Sequence, residues 1–293
     1  MKYKFNTGKE LIELCKKHNK KIYEIMLLRE VENSEKSEND IFDLMKENLY
    51  VMKKAVKKGL EEDIKSVSGL VGGDAKKLKN RYEKDKTVSG GKMLKAVASA
   101  MAVLEVNASM GQVVAAPTAG SCGILPGVLI TIGEEFNIAE DDLINALFTA
   151  SAIGLIISLN ATVSGAEGGC QAETGTASAM AAAAVVEILG GSPQEALHAA
   201  AMTLKNILGL VCDPIAGLVE CPCVKRNAIG TANALISADM ALAGIKSIIP
   251  FDEVVDAMYR VGKSLPVALR ETALGGLAAT PTGRSIMNEI FTK

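Results

Sequence analysis

Apolar residues recur at every third or fourth position along most of the chain and alternating β-branched runs are scarce, so the pattern predicts helices and few strands. One amphipathic helix is predicted from about Gly8 to Val31. A second begins at Ser37, where Ser37-Glu38-Asn39-Asp40 has the form of a capping box, and ends near Gly59 or a turn later. The Lys-rich stretch that opens at Gly69, GLVGGDAKKLKNRYEKDK, reads as a surface loop. The helical pattern resumes at Gly91 and breaks at APTAGSCGILPG. Further helices are predicted at about 140–159, 174–189, 193–210, 226–245 and 251–262. The best-marked start is Ser192-Pro193-Gln194-Glu195, with a serine cap, proline at the first helical position and glutamate at the third. The expected fold class is all-α. One domain over residues 1–293 is expected, with a charged helical layer (1–90) on a small-residue core (91–293) joined by Gly/Pro-rich loops.

Charge sharpens that division. Residues 1–100 hold 39 charged side chains and residues 101–200 only 10, and no Lys or Arg lies between Lys95 and Lys205. Apolar residues at 48% and charged residues at 23% suffice to bury a full core. Two uncharged stretches, Val106–Gly133 and Leu143–Ala166, are long enough to raise the question of a membrane. The first is interrupted by Pro117, Pro126 and five glycines, and neither has the flanking basic residues or aromatic belts that orient a span. Buried helices are the expectation, with no membrane partner. A net charge of −2, no Trp and 4% aromatics speak against nucleic acid as a partner. The opening MKYKFNTGKELIELCKK lacks the apolar core of a secretion signal, so a cytoplasmic chain with six reduced thiols is expected.

Cys15 falls on the first amphipathic helix and reads as a half-buried thiol. The other five cysteines fall in Gly/Pro-rich breaks: Cys122 in APTAGSCGILPG, Cys170 in SGAEGGCQAETG, Cys212 in LVCDP, Cys221 and Cys223 in ECPC. Such breaks offer backbone N–H groups and helix N-termini that stabilise thiolates, which favours a metal site. The spacing lacks the paired C-x₂-C knuckles of structural zinc and the C-x₂-C-x₂-C run of a ferredoxin. What remains is dispersed: 42 positions from Cys170 to Cys212 and 11 more to Cys223. Three thiolates on a four-iron cluster would leave one iron open, which suits a Lewis acid better than an electron carrier.

Four segments in order, APTAGSCGILPGVL, SGAEGGCQAETGTASAMAAAA, LGLVCDPIAGLVECPCVKRNAIG and LRETALGGLAATPTG, resemble the α chain of iron–sulfur-dependent L-serine dehydratase. The resemblance runs from about Ser68 to Gly283. It implies a [4Fe–4S] cluster held by Cys170, Cys212 and Cys223 and transfers no ligand role to Cys122 or Cys221, and Cys15, on the first helix, is not expected to be a ligand. It also implies a lyase that converts L-serine to pyruvate and ammonia, with a β subunit from a separate gene. Only His18 and His198 are present, and neither lies in the Ser-rich His-Thr-x-Gly-Pro segment that the family carries on that second part. Dehydration needs a way to expel hydroxide. Pyridoxal phosphate would need a Schiff-base lysine, and residues 96–204 contain none near the Gly-rich turns. A metal that binds the hydroxyl is the other route.

Other readings stay open at this point. A related iron–sulfur lyase acting on cysteine and a non-catalytic cluster- or zinc-binding protein both accommodate the same residues. Asp213, Glu167 and Glu173 are candidate bases or acceptors beside the cysteines. Lys225 and Arg226 either clamp a carboxylate or face solvent, and the turns Thr118–Gly123 and Ser164–Gly169 either bind one or are simple tight turns. His198 reads as a packed core histidine. An extended Cys221-Pro222-Cys223 segment would point both thiols the same way, so Cys221 could reach a metal held by Cys223.

Overall fold

The computed structural model describes residues 2–84 and 86–292, and among them no strand forms. Thirteen α-helices are present among the described residues: α1 Gly8–His18, α2 Ile22–Ser34, α3 Glu38–Glu61, α4 Asp74–Lys84, α5 Gly91–Ala108, α6 Ile124–Glu135, α7 Glu140–Asn160, α8 Gly165–Gly168, α9 Cys170–Ile188, α10 Pro193–Asn206, α11 Cys223–Leu242, α12 Phe251–Ser264 and α13 Pro281–Phe291. Both capping boxes read from the sequence close as expected: Ser37 accepts from the Asp40 N–H and Ser192 from the Glu195 N–H.

Several elements depart from the sequence pattern. The single helix predicted from Gly8 to Val31 is two helices, because Asn19 takes a left-handed conformation (φ 49°) and ends α1. The restart at Ile22 is fixed from afar. The Glu187 carboxylate of α9 accepts the N–H groups of Ile22 (2.7 Å) and Tyr23 (3.1 Å) and also the Thr149 hydroxyl. The Lys-rich stretch expected as a loop contains α4, whose first turn is capped by another buried carboxylate. Glu105 of α5 accepts from Gly73 (3.1 Å) and Asp74 (2.8 Å). Helix α6 was hidden by Pro126, which is harmless because it sits in the first turn.

Burial pushes the Glu187 carboxyl above the ordinary range, against the hydrogen bonds that pull it down. Its native proton affinity exceeds that in the unfolded chain. The stability it contributes is therefore present below the unfolded pKa and declines as pH rises through the raised native value. Glutamine at this position should cost about 1–3 kcal/mol for the misfit acceptor. That deficit should narrow between mildly acidic and neutral pH, because only the wild type titrates. Denaturant unfolding of Glu187→Gln across that range checks both signs.

Helix α9 is the axis of the core. It packs against α7, α10, α11 and α6, and Ala177, Ala179 and Ala181 to Ala184 are fully buried. Small side chains let these helices approach closely. A Cβ at Gly59 on α3 would lie 2.4 Å from the Ala102 carbonyl oxygen on α5, so only glycine fits there. Helix α7 alone among the described residues is long and apolar enough to cross a membrane, yet most of it is buried against α9 and α2. The N-terminal helices lie over this core, α2 on α7 and both α3 and α4 on α5.

Candidate active site

The site lies at the ends of these helices. Cys170 is the first residue of α9 and Cys223 the first of α11, so each sits on a helix start rather than in a break before it. Both helices begin earlier than the sequence pattern predicted. Gln171, fully buried, locks the first corner: its Nε2 donates to Gly168 O and Met258 O (2.9 Å each), and its Oε1 accepts from Gly209 N (2.8 Å). Cys212 lies on a single parallel rung. Its N–H donates to Leu269 O (2.9 Å) and its carbonyl accepts from Glu271 N (2.7 Å), which makes Arg270 its neighbour across the rung. Asn227 ties the third corner, donating to Cys223 O (3.0 Å) and Gly120 O (2.8 Å) and accepting from Gly123 N (3.1 Å).

The three thiols are buried and share one electrostatic environment. Burial pushes the Cys212 and Cys223 thiols up, and the nearby Cys170 sulfur pushes each further. Cys170 is raised by burial too, but the Arg226 guanidinium and the Thr174 hydroxyl, 3.0 Å from its sulfur, oppose the rise. Arg226 is held by a buried ion pair with Asp213 (2.6 Å) and donates to Val211 O (2.8 Å). Residue 165 packs against Cys212 so closely that only glycine fits. A Cβ there would meet Cys212 Sγ at 3.0 Å, Glu271 Oε2 at 3.4 Å and Glu173 Oε2 at 3.5 Å. Glu173 is raised by burial, held down by the Thr118 hydroxyl and raised again by Glu271.

These donors are three sulfurs from three separate segments, two of them on helix starts, with a guanidinium close by. They could hold a soft, negatively charged metal group. Among the described residues, no three His, Cys, Asp or Glu side chains converge closely enough to bind a single ion. Residues 17–278 match the profile of the family "Serine dehydratase alpha chain". The chain belongs to that family. It is 55% identical over 287 residues to the probable L-serine dehydratase alpha chain of Bacillus subtilis, covering 98% of this chain and 95% of that one. It is 49% identical to the L-serine dehydratase alpha chain of Peptoniphilus asaccharolyticus, with 98% of each chain covered. A third relative, the L-serine dehydratase of Helicobacter pylori, is 38% identical and longer, with 62% of its length matched.

Within this family member, the candidates from the sequence separate. Cys170, Cys212 and Cys223 are near enough for their sulfurs to act on one another by charge. Cys122 is buried in the turn before α6 and pushed up to about 12 by burial, and Cys15 is likewise raised to about 12 on α1. The extended geometry expected around Pro222 is absent: its ψ of 8° turns the chain, so Cys221 and Cys223 do not share one face of an extended segment. Asp213 is committed to Arg226 and to the Leu277 N–H (2.7 Å), and Glu167 is exposed on α8. Of the three carboxylates, Glu173 alone lies beside Gly165 next to Cys212 Sγ. Lys225 points outward to Asp74 (2.6 Å), whereas Arg226 turns inward. The turn N–H groups of Glu167 to Gly169 and of Gly123 are taken by internal acceptors. His198 is a half-buried histidine whose Nδ1 accepts from Ser247 N (3.4 Å). Sequence reasoning missed Glu271, Asn227 and Gln171 as site residues, although all three stand inside the quoted motifs.

Proposed function

We propose that this chain is the α subunit of an L-serine ammonia-lyase. It would dehydrate L-serine and release pyruvate and ammonia, with a [4Fe–4S] cluster on Cys170, Cys212 and Cys223. The observation that carries this reading is the meeting of three buried thiols from three segments beside Arg226. The residues fit the group. The donors are all sulfur, and Gly165 keeps side-chain atoms away from Cys212 Sγ, where a Cβ would come within 3.0 Å. When bound, a cluster with one iron lacking a thiolate supplies a Lewis acid for the departing hydroxyl.

The chain's own residues supply the rest. Arg226, fixed by Asp213, places positive charge beside the Cys170 sulfur and favours its thiolate. Glu173, held at Oε1 by the Thr118 hydroxyl, turns Oε2 toward Gly165 and Cys212 and is the group that moves a proton there. Burial raises its carboxyl, which brings it closer to the range useful near neutrality. A β subunit completes the enzyme. The names of the Bacillus and Peptoniphilus relatives specify an alpha chain, and the longer Helicobacter relative supports a second part within one polypeptide.

The test is anaerobic pyruvate formation from L-serine and L-cysteine, by the chain alone and with the neighbouring gene product. Turnover of serine in the complex, with little from the chain alone, is expected. No serine turnover in the cluster-loaded complex, or a preference for cysteine, would contradict the assignment.

A further inference from the structure

Two adjacent side chains at the site have no partner. Arg270 faces Cys212 across the single rung, and residues paired in register on such a rung project to the same side. Its Nε is shielded from solvent and has no hydrogen-bond acceptor. Its guanidinium makes no ion pair among the described residues, unlike Arg226 with Asp213 or Lys225 with Asp74. Glu271 is next in the chain. Its backbone N–H is held by Cys212 O, and its Oε2 lies beside Gly165 next to Cys212 Sγ, likewise without a hydrogen bond or ion pair. A shielded guanidinium N–H and an unpaired carboxylate on successive residues are both costly until a partner arrives.

We propose that Arg270 and Glu271 together bind the zwitterionic head of the substrate, Arg270 taking the carboxylate and Glu271 the ammonium. The proposal rests on the reading that the substrate is an α-amino acid. A guanidinium offers two parallel N–H donors that match a carboxylate, and a carboxylate suits an ammonium by charge and hydrogen bonding. The substrate carboxylate is unchanged when hydroxide leaves, so Arg270 binds ground state and transition state alike. Its loss should therefore appear in KM more than in kcat. The same pairing gives selectivity, because an analogue lacking either charge leaves one residue unsatisfied.

Calorimetric titration of the anaerobic, cluster-loaded complex with two half-substrates tests this, alongside serine kinetics and iron content. Ethanolamine carries the ammonium only, and 3-hydroxypropionate the carboxylate only. Arg270→Gln should weaken 3-hydroxypropionate roughly ten- to a hundredfold and spare ethanolamine. Glu271→Gln should do the reverse, and Arg270→Lys and Glu271→Asp should each lose less than the glutamine variant. Equal weakening of both ligands by either variant, unchanged affinity for both, or loss of iron in the glutamine variants would each overturn the proposal. The outcomes separate it from the wider assignment: a wild-type complex that forms no pyruvate from serine refutes the lyase reading, whereas a working wild type without the crossed pattern refutes only the head-group assignment.

Discussion

Alanine at Cys170, Cys212 or Cys223 should remove the bound iron and reduce serine turnover to background, while alanine at Cys15, Cys122 or Cys221 leaves both near wild type. The three thiols come from the start of α9, the rung with Arg270 and the start of α11, and at least 11 positions separate any two of them. Each is positioned by its own buried contacts, so losing one sulfur leaves two that cannot close the site. Because these segments meet only in the folded chain, cluster binding should also stabilise the fold, and the three variants should melt lower than wild type when iron is present. Cys221 is the sharpest control. Pro222 turns the chain between it and Cys223, and its thiol is half-exposed. Iron content and pyruvate formation measured for all six variants decide the point. Loss of iron from Cys221→Ala with retention in Cys223→Ala would reverse the assignment.

Arg226→Ala should destabilise the apoprotein by roughly 3–5 kcal/mol, because it leaves the Asp213 carboxylate buried without its counter-charge. The Asp213 side chain is 4% exposed and that of Arg226 14%. Asp213 also accepts the Leu277 N–H, so the same change disturbs the segment that follows Arg270. It removes the positive charge that opposes the rise of the Cys170 thiol, so iron should be held less tightly too. Replacing both partners by apolar residues should cost much less stability than replacing Arg226 alone, since no orphaned charge remains. Denaturant unfolding of the single and double variants without iron measures this. Equal losses in the two would show that the ion pair itself, rather than the stranded carboxylate, carries the effect.

The sequence made legible those elements whose causes are local. Ser37 and Ser192 carry their helix starts within four residues, and the α5, α7 and α12 patterns are long enough to read directly. What was hidden depends on distant partners. The first turns of α2 and α4 are held by Glu187 and Glu105, which reach across from α9 and α5. No pattern around Ile22 or Asp74 announces those carboxylates. At the site, the identity of the three cysteines followed from resemblance, and their meeting followed only from folding. The supports Gln171 and Asn227 make hydrogen bonds to residues as far off as Met258 and Gly120, a range over which sequence spacing is silent. Lys225 and Arg226, adjacent in sequence, point opposite ways because successive positions on a helix lie about 100° apart.

What the three buried sulfurs hold decides the chemistry of the site. Protein purified anaerobically should contain about four irons and four acid-labile sulfides per chain, and Cys212→Ala prepared in parallel should contain neither. Zinc in place of iron, or iron and sulfide retained at full level after loss of Cys212, would contradict it.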